Sequence, residues 1–167
     1  MSGAFYHITS RGDRQEAIAK DNVDRFLFVL TLARTIRQFD WLCHAYCLMD
    51  NHYHLVIETQ KPNLAQGMRQ LNGVYTQAMN RRHGHTGHLF QGRYKSILVD
   101  KNAYFAAVIR HAVLNLVRTG TVEDPADWLW SSHRATAGQT TVPDWLSTEA
   151  VLNIFERQGD AACRRYR

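Results

Sequence analysis

The stretch Trp41-Leu42-Cys43-His44-Ala45-Tyr46-Cys47-Leu48-Met49-Asp50-Asn51-His52-Tyr53-His54-Leu55-Val56-Ile57-Glu58 decides the fold. Two apolar runs flank an Asp50-Asn51 break, the pattern of two strands joined by a tight turn. Side chains alternate along a strand, so His52, His54, Val56 and Glu58 share one face while Leu55 and Ile57 point to the other. Burying two unpartnered imidazoles costs free energy that Val or Ile would not. Neutral imidazoles are good nitrogen ligands for a divalent metal. A bare His-x-His is also what a half-exposed strand with solvated histidines looks like, so its surroundings must decide. Cys43 and Cys47, four apart on the first strand, are expected on one face with Ala45 as small core residues, with zinc ligation the lesser alternative.

Outward from this hairpin the chain alternates strands and helices. Ala4 to Arg11 reads as a strand with Phe5, His7 and Thr9 on one side. Asp21 or Asn22 caps a helix to about Phe39, with Phe26, Val29, Leu30, Ala33 and Ile36 at helical spacing. Asn63 is the expected N-cap of a helix to about Arg81, with Leu64, Met68, Leu71, Tyr75 and Met79 inward. A short strand follows around Tyr94 to Val99. Asp100 caps a third helix, from about Asn102 to Arg118, which Gly120 ends. A last helix is expected around Thr148 to Arg157, before a basic tail at 164–167. Strand, helix, strand, strand, helix, strand is the ferredoxin-like order. It predicts an α+β fold: an antiparallel sheet with helices on one face, plus a C-terminal helical extension.

Composition narrows the class. A chain of 167 residues is the size of one domain, and its 45% hydrophobic and 21% charged content is that of a soluble globular protein. No apolar run approaches the roughly 18 residues of a membrane span. The N-terminus lacks a secretory pattern, and three cysteines make no disulfide framework, so a reducing cytoplasm is expected. The net charge of +5 points to a polyanionic partner. From Thr59 through Val99 there is no Asp or Glu, while Lys61, Arg69, Arg81, Arg82, Arg93 and Lys95 supply six positive charges. Phe90 and Tyr94 interleave aromatic rings among them. Such a patch suits single-stranded nucleic acid, because cations neutralise phosphates and flat rings stack on unpaired bases. The DNA-binding candidates are Arg81, Arg82, His88, Gln91, Arg93 and Lys95, with Arg11 extending the patch. Arg93 and Lys95 are expected to face the ligand together.

The segment Tyr46-Cys47-Leu48-Met49-Asp50-Asn51-His52-Tyr53-His54-Leu55 resembles the His-hydrophobe-His strand of the single-tyrosine HUH transposases. The REP-associated tyrosine transposases are the nearer branch. Four further segments match in order: Tyr6–Gly12, Gly87–Ser96, Asn115–Gly120 and Trp130–Arg134. The resemblance covers about residues 4 to 136. It implies a transposase-like domain over 1–136, with 137–167 a C-terminal extension packed on it. It also implies binding of hairpin-forming single-stranded DNA, by a monomer or homodimer, and metal-dependent strand cleavage and joining through a phosphotyrosine intermediate. His52, His54 and Asn115 would hold Mg²⁺ or Mn²⁺.

One position departs from the pattern. Four residues before Asn115, where the family places its nucleophile, the chain has His111. Three readings stand open: Tyr104, two turns earlier on the same face, supplies a relocated hydroxyl; His111 itself serves as nucleophile or further ligand; or the protein is a non-catalytic DNA-binding derivative.

Overall fold

The computed structural model describes residues 2–154 and 166. Four strands form one antiparallel sheet: β1 (Ala4–Arg11), β2 (Trp41–Leu48), β3 (His52–Thr59) and β4 (Lys95–Val99), in the order β2-β3-β1-β4. This is the ferredoxin-like order expected from the sequence. β3 is central, and its register with β1 sets His7 opposite Val56, Thr9 opposite His54 and Arg11 opposite His52.

The two faces of the sheet carry different helices. α1 (Asn22–Phe39) and α2 (Leu64–His83) cover the face bearing Ile8, Tyr53, Leu55 and Ile57. α3 (Phe105–Arg118) covers part of the histidine face, packing Phe105, Ile109, Ala112 and Val113 on Phe5, Ala45, Val56 and Val99. Leaving a sheet face with this much apolar surface open to water would cost roughly 25 cal/mol per Å². α3 runs on from this apolar patch to the histidine end, where the face turns polar and Asn115 meets His54.

Several local expectations shift. The buried stripe of α1 is Phe28, Leu32, Ala33, Thr35 and Ile36, whereas Phe26 is 58% exposed. Phe26 to Leu30 form an unbroken apolar run that reaches more than one side of the helix, so spacing alone did not choose its inward face. A bulge at His44 breaks the β2–β3 register between Cys43 and Ala45. The extra residue turns Cys43 towards α1 and α2, away from Ala45 and Cys47, so the two cysteines do not share a face. Asn63 precedes α2 without capping it. Its side chain accepts from Trp41 Nε1 at 2.8 Å and donates to the Phe39 carbonyl at 2.8 Å. Gly67 then lets α2 lie on the Trp41 indole, since a Cβ there would fall inside the ring's van der Waals envelope.

α3 begins at Phe105, after a turn in which Asp100 Oδ1 accepts from the backbone N–H groups of Asn102 and Ala103. The segment Trp130–Ser132 pairs with the edge of β2, through Leu48 N–H to Trp130 O and Ser132 N–H to Tyr46 O. A one-turn α4 (His133–Thr136) follows. α5 (Glu149–Asn153) lays Val151 against the α3 core. The remainder of the expected last helix and the basic tail lie outside the described residues, apart from Tyr166.

Candidate metal centre and nucleic-acid interface

His52 and His54 stand on the same face of β3, as alternation requires, with 6% and 3% of their surfaces exposed. Their hydrogen bonds select one tautomer for each ring. His52 Nδ1 lies 2.7 Å from Asn51 Oδ1, which can only accept, so His52 carries its proton on Nδ1. Its Nε2 is buried and without a partner. Asn115 Nδ2 donates to His54 Nε2 at 2.7 Å, so His54 also carries its proton on Nδ1. That proton is directed at His7 Nε2, 3.0 Å away, with Thr9 Oγ1 at 3.2 Å. Both rings thus turn Nε2 to the site, that of His52 with an open lone pair and that of His54 meeting the Asn115 amide.

Burial keeps these rings neutral. It is the main cause bringing His54 down to about 3, with His52, His7, His111 and Arg11 adding like-charge repulsion. His52 is lowered to about 4 by burial and then by Arg11. His7 is lowered by burial and then by His111. A neutral imidazole with an open lone pair is the form that ligates a metal.

α3 supplies the other side of the cluster. His111 and Asn115, four apart, fall on one helical face. His111 meets His7 and His54 edge-on, with ring centres 5.7 Å from each, and Arg118 donates to its Nδ1 at 3.0 Å. Tyr104 sits at the N-cap of α3, two turns away, and is 65% exposed. Seven residues at about 1.5 Å rise separate it from His111 by roughly 10 Å along the axis.

Among the described residues, no group of three or more His, Cys, Asp or Glu side chains is arranged to hold a metal ion. The Asn115 amide, 2.7 Å from His54 Nε2, is the candidate third ligand beside the two imidazoles. Two imidazoles and one amide fit a divalent ion, and this nitrogen-rich set suits Mn²⁺ better than Mg²⁺. His7 and Thr9, which orient His54, were legible as neighbours on one side of β1. Their partner across the sheet was not.

The basic residues divide. Arg82 is committed to Asp21 and Asp24, at 2.9 and 2.6 Å, tying the end of α2 to the start of α1. Lys95 stands opposite Thr9 on the histidine face. Arg93 precedes β4 and instead lines a cavity with Arg69 and Asn72 of α2, so Arg93 and Lys95 do not act from one surface. The segment bearing His88 and Gln91 is strapped to the end of β1, through Asp13 N–H to Leu89 O and Gln91 N–H to Arg11 O. This brings Gln91 beside Arg11, next to His52. Arg81 and His88 are exposed. No helix among the described residues is long and apolar enough to cross a membrane.

The likeness to known proteins agrees with this fold. A solved structure of a REP-associated tyrosine transposase bound to a REP hairpin superposes with a TM-score of 0.73 at 13% identity, covering 90% of this chain and 88% of that one. A candidate transposase from Deinococcus radiodurans r1 matches more loosely, over 66% of this chain and 88% of its own, at 18% identity and a TM-score of 0.49. No curated protein matches at a significant level. The sequence profile described as "Transposase IS200 like" matches residues 1–111, from β1 into α3. With the profile spanning most of the chain, this chain belongs to the IS200-like transposase family.

Proposed function

We propose that this protein binds hairpin-forming single-stranded DNA and holds Mn²⁺ or Mg²⁺ on His52, His54 and Asn115, as a DNA-binding derivative of a transposase that has lost the family's strand cleavage. The carrying observation is the pair of His52 and His54, each protonated on Nδ1 with Nε2 turned to the site, beside a position 111 that is His. When bound, such an ion would polarise a phosphate drawn to it. His7 and Thr9 orient His54, and Asn51 orients His52. Arg11, Gln91 and Lys95 border the same face and would hold the strand's backbone. Arg81, His88 and Arg93 would extend the footprint, whereas the charge of Arg82 is already met by two carboxylates.

A second reading keeps cleavage, and the exposure of Tyr104 favours it. In that case the Tyr104 oxygen bonds to phosphorus, the P–O3′ bond breaks and the 3′ oxygen leaves as a hydroxyl. Its distance from His111 opposes an in-line attack without movement.

Denaturing-gel trapping separates the two readings. Labelled hairpin DNA is incubated with Mn²⁺ and wild-type, Tyr104→Phe or His111→Ala protein. No covalent band, with DNA binding measured separately, is the expected result. A band lost only in Tyr104→Phe would overturn the non-catalytic reading, and one lost only in His111→Ala would assign the chemistry to histidine.

A further inference from the structure

Beside His52 lies a cavity of about 520 Å³, bordered by Arg11, Gln15, His52, Thr119, Thr121 and Trp128. This is within the roughly 300–1,000 Å³ of small-ligand sites. Its walls come from four distant parts of the chain: the end of β1, the β2–β3 turn, the residues after α3 and the Trp-rich segment. Fixed groups line it. Trp128 Nε1 donates to the Leu48 carbonyl at 2.8 Å, and the Arg25 guanidinium lies 5.5 Å from the centre of the indole ring. Arg25 also pairs with Asp50 at 2.8 Å, so the acid on the cavity wall is neutralised.

The loop that carries Gln15 is held in an unusual conformation. Arg14 and Gln15 both adopt left-handed backbone angles, φ 53° and 60°, which non-glycine residues rarely do. Gly12 N–H to Asn51 O, Asp13 N–H to Leu89 O and Ile18 N–H to Asp50 O impose it from outside. Consecutive strained residues persist only where the surroundings over-determine them, and they cluster at ligand sites.

We infer that this cavity takes one unpaired nucleotide of the bound strand, next to the phosphate that faces His52. The inference rests on the DNA-binding reading. Trp128 offers an aromatic ring for the base, Gln15, Thr119 and Thr121 offer hydrogen-bonding groups, and exposed Arg11 meets a phosphate. The site selects an unstacked nucleotide, because a paired base has its Watson–Crick edge occupied and its faces covered by neighbours.

The test is abasic scanning of the single-stranded tail on a labelled hairpin, with affinity read by fluorescence anisotropy. Wild-type protein loses about tenfold in affinity when one tail position is abasic, and little at the others. Gln15→Gly and Trp128→Leu bind the intact DNA more weakly and lose most of that position's penalty. Glycine adopts φ 60° without strain, so Gln15→Gly stands even where Trp128→Leu disturbs packing. Uniform affinity across abasic positions, with the intact hairpin still bound, overturns the nucleotide pocket and leaves DNA binding standing. A penalty unchanged in both variants places the base elsewhere and overturns it too. No affinity for any hairpin removes the DNA-binding reading itself.

Discussion

Replacing His7 with Phe isolates the orientation of a proposed metal ligand from the ligand itself. In the native protein the His7 and His54 rings stack with centres 5.2 Å apart and planes 20° apart, and His7 Nε2 accepts the His54 Nδ1 proton at 3.0 Å. Phenylalanine keeps a flat ring in place and removes the acceptor. His54 is then freer to carry its proton on Nε2, the atom a metal needs open. Removing an outer partner of a metal-bound histidine typically lowers metal affinity 10- to 100-fold, or about 1.4–2.7 kcal/mol. Thr9 Oγ1 remains as a second partner at 3.2 Å. The single variant should therefore lose about tenfold, and His7→Phe combined with Thr9→Val about a hundredfold. Mn²⁺ affinity is read from the free-ion electron paramagnetic resonance signal during titration. Long-range ¹H–¹⁵N spectra report which nitrogen of His54 bears the proton. A wild-type His54 protonated on Nε2 would refute the reasoning, as would a double variant that binds Mn²⁺ as tightly as the native protein.

Three further outcomes are expected. Asp24 is inaccessible to solvent and accepts from Lys20 N–H, Arg82 and His83, so Asp24→Asn should cost about 2 kcal/mol in urea unfolding. Burial pushes its carboxyl upward, yet the hydrogen bonds from Lys20, His83 and Arg82 outweigh this and its pKa is lowered from 3.8. The stabilisation is therefore full above that value and is lost as pH falls through the folded-state pKa, and an acid titration of Asp24→Asn should lack this step. Gly67→Ala forces a methyl into the Trp41 indole and should lower stability by about 1–3 kcal/mol, while an unchanged melting temperature would show that α2 slides freely. Arg93→Ala should weaken DNA binding and reduce the slope of log affinity against log salt by about 0.7 for a single strand, and an unaltered slope would remove Arg93 from the footprint.

The sequence by itself determined the elements and their order, the pairing of His52 and His54 on one strand face, and the placing of His111 and Asn115 on one helix face. These follow from periods of two and 3.6 residues, which are local properties of the backbone. Tertiary structure alone decided what those faces meet. The register of β1 against β3 brings Thr9 opposite His54 and sets His7 against its ring, a pairing between positions 47 residues apart that no local period encodes. One extra residue at His44 turns Cys43 away from Cys47, because a bulge shifts every side chain before it to the other face. The unbroken apolar run Phe26 to Leu30 left the inward side of α1 open until Tyr53 and Tyr75 packed on Phe28. Charge count placed Arg82 with the DNA-binding residues, yet the fold commits it to Asp21 and Asp24, since a guanidinium beside a buried carboxylate is worth more paired than solvated. Local periodicity thus fixed which side chains stand together, and long-range register and ion pairing fixed what each one does.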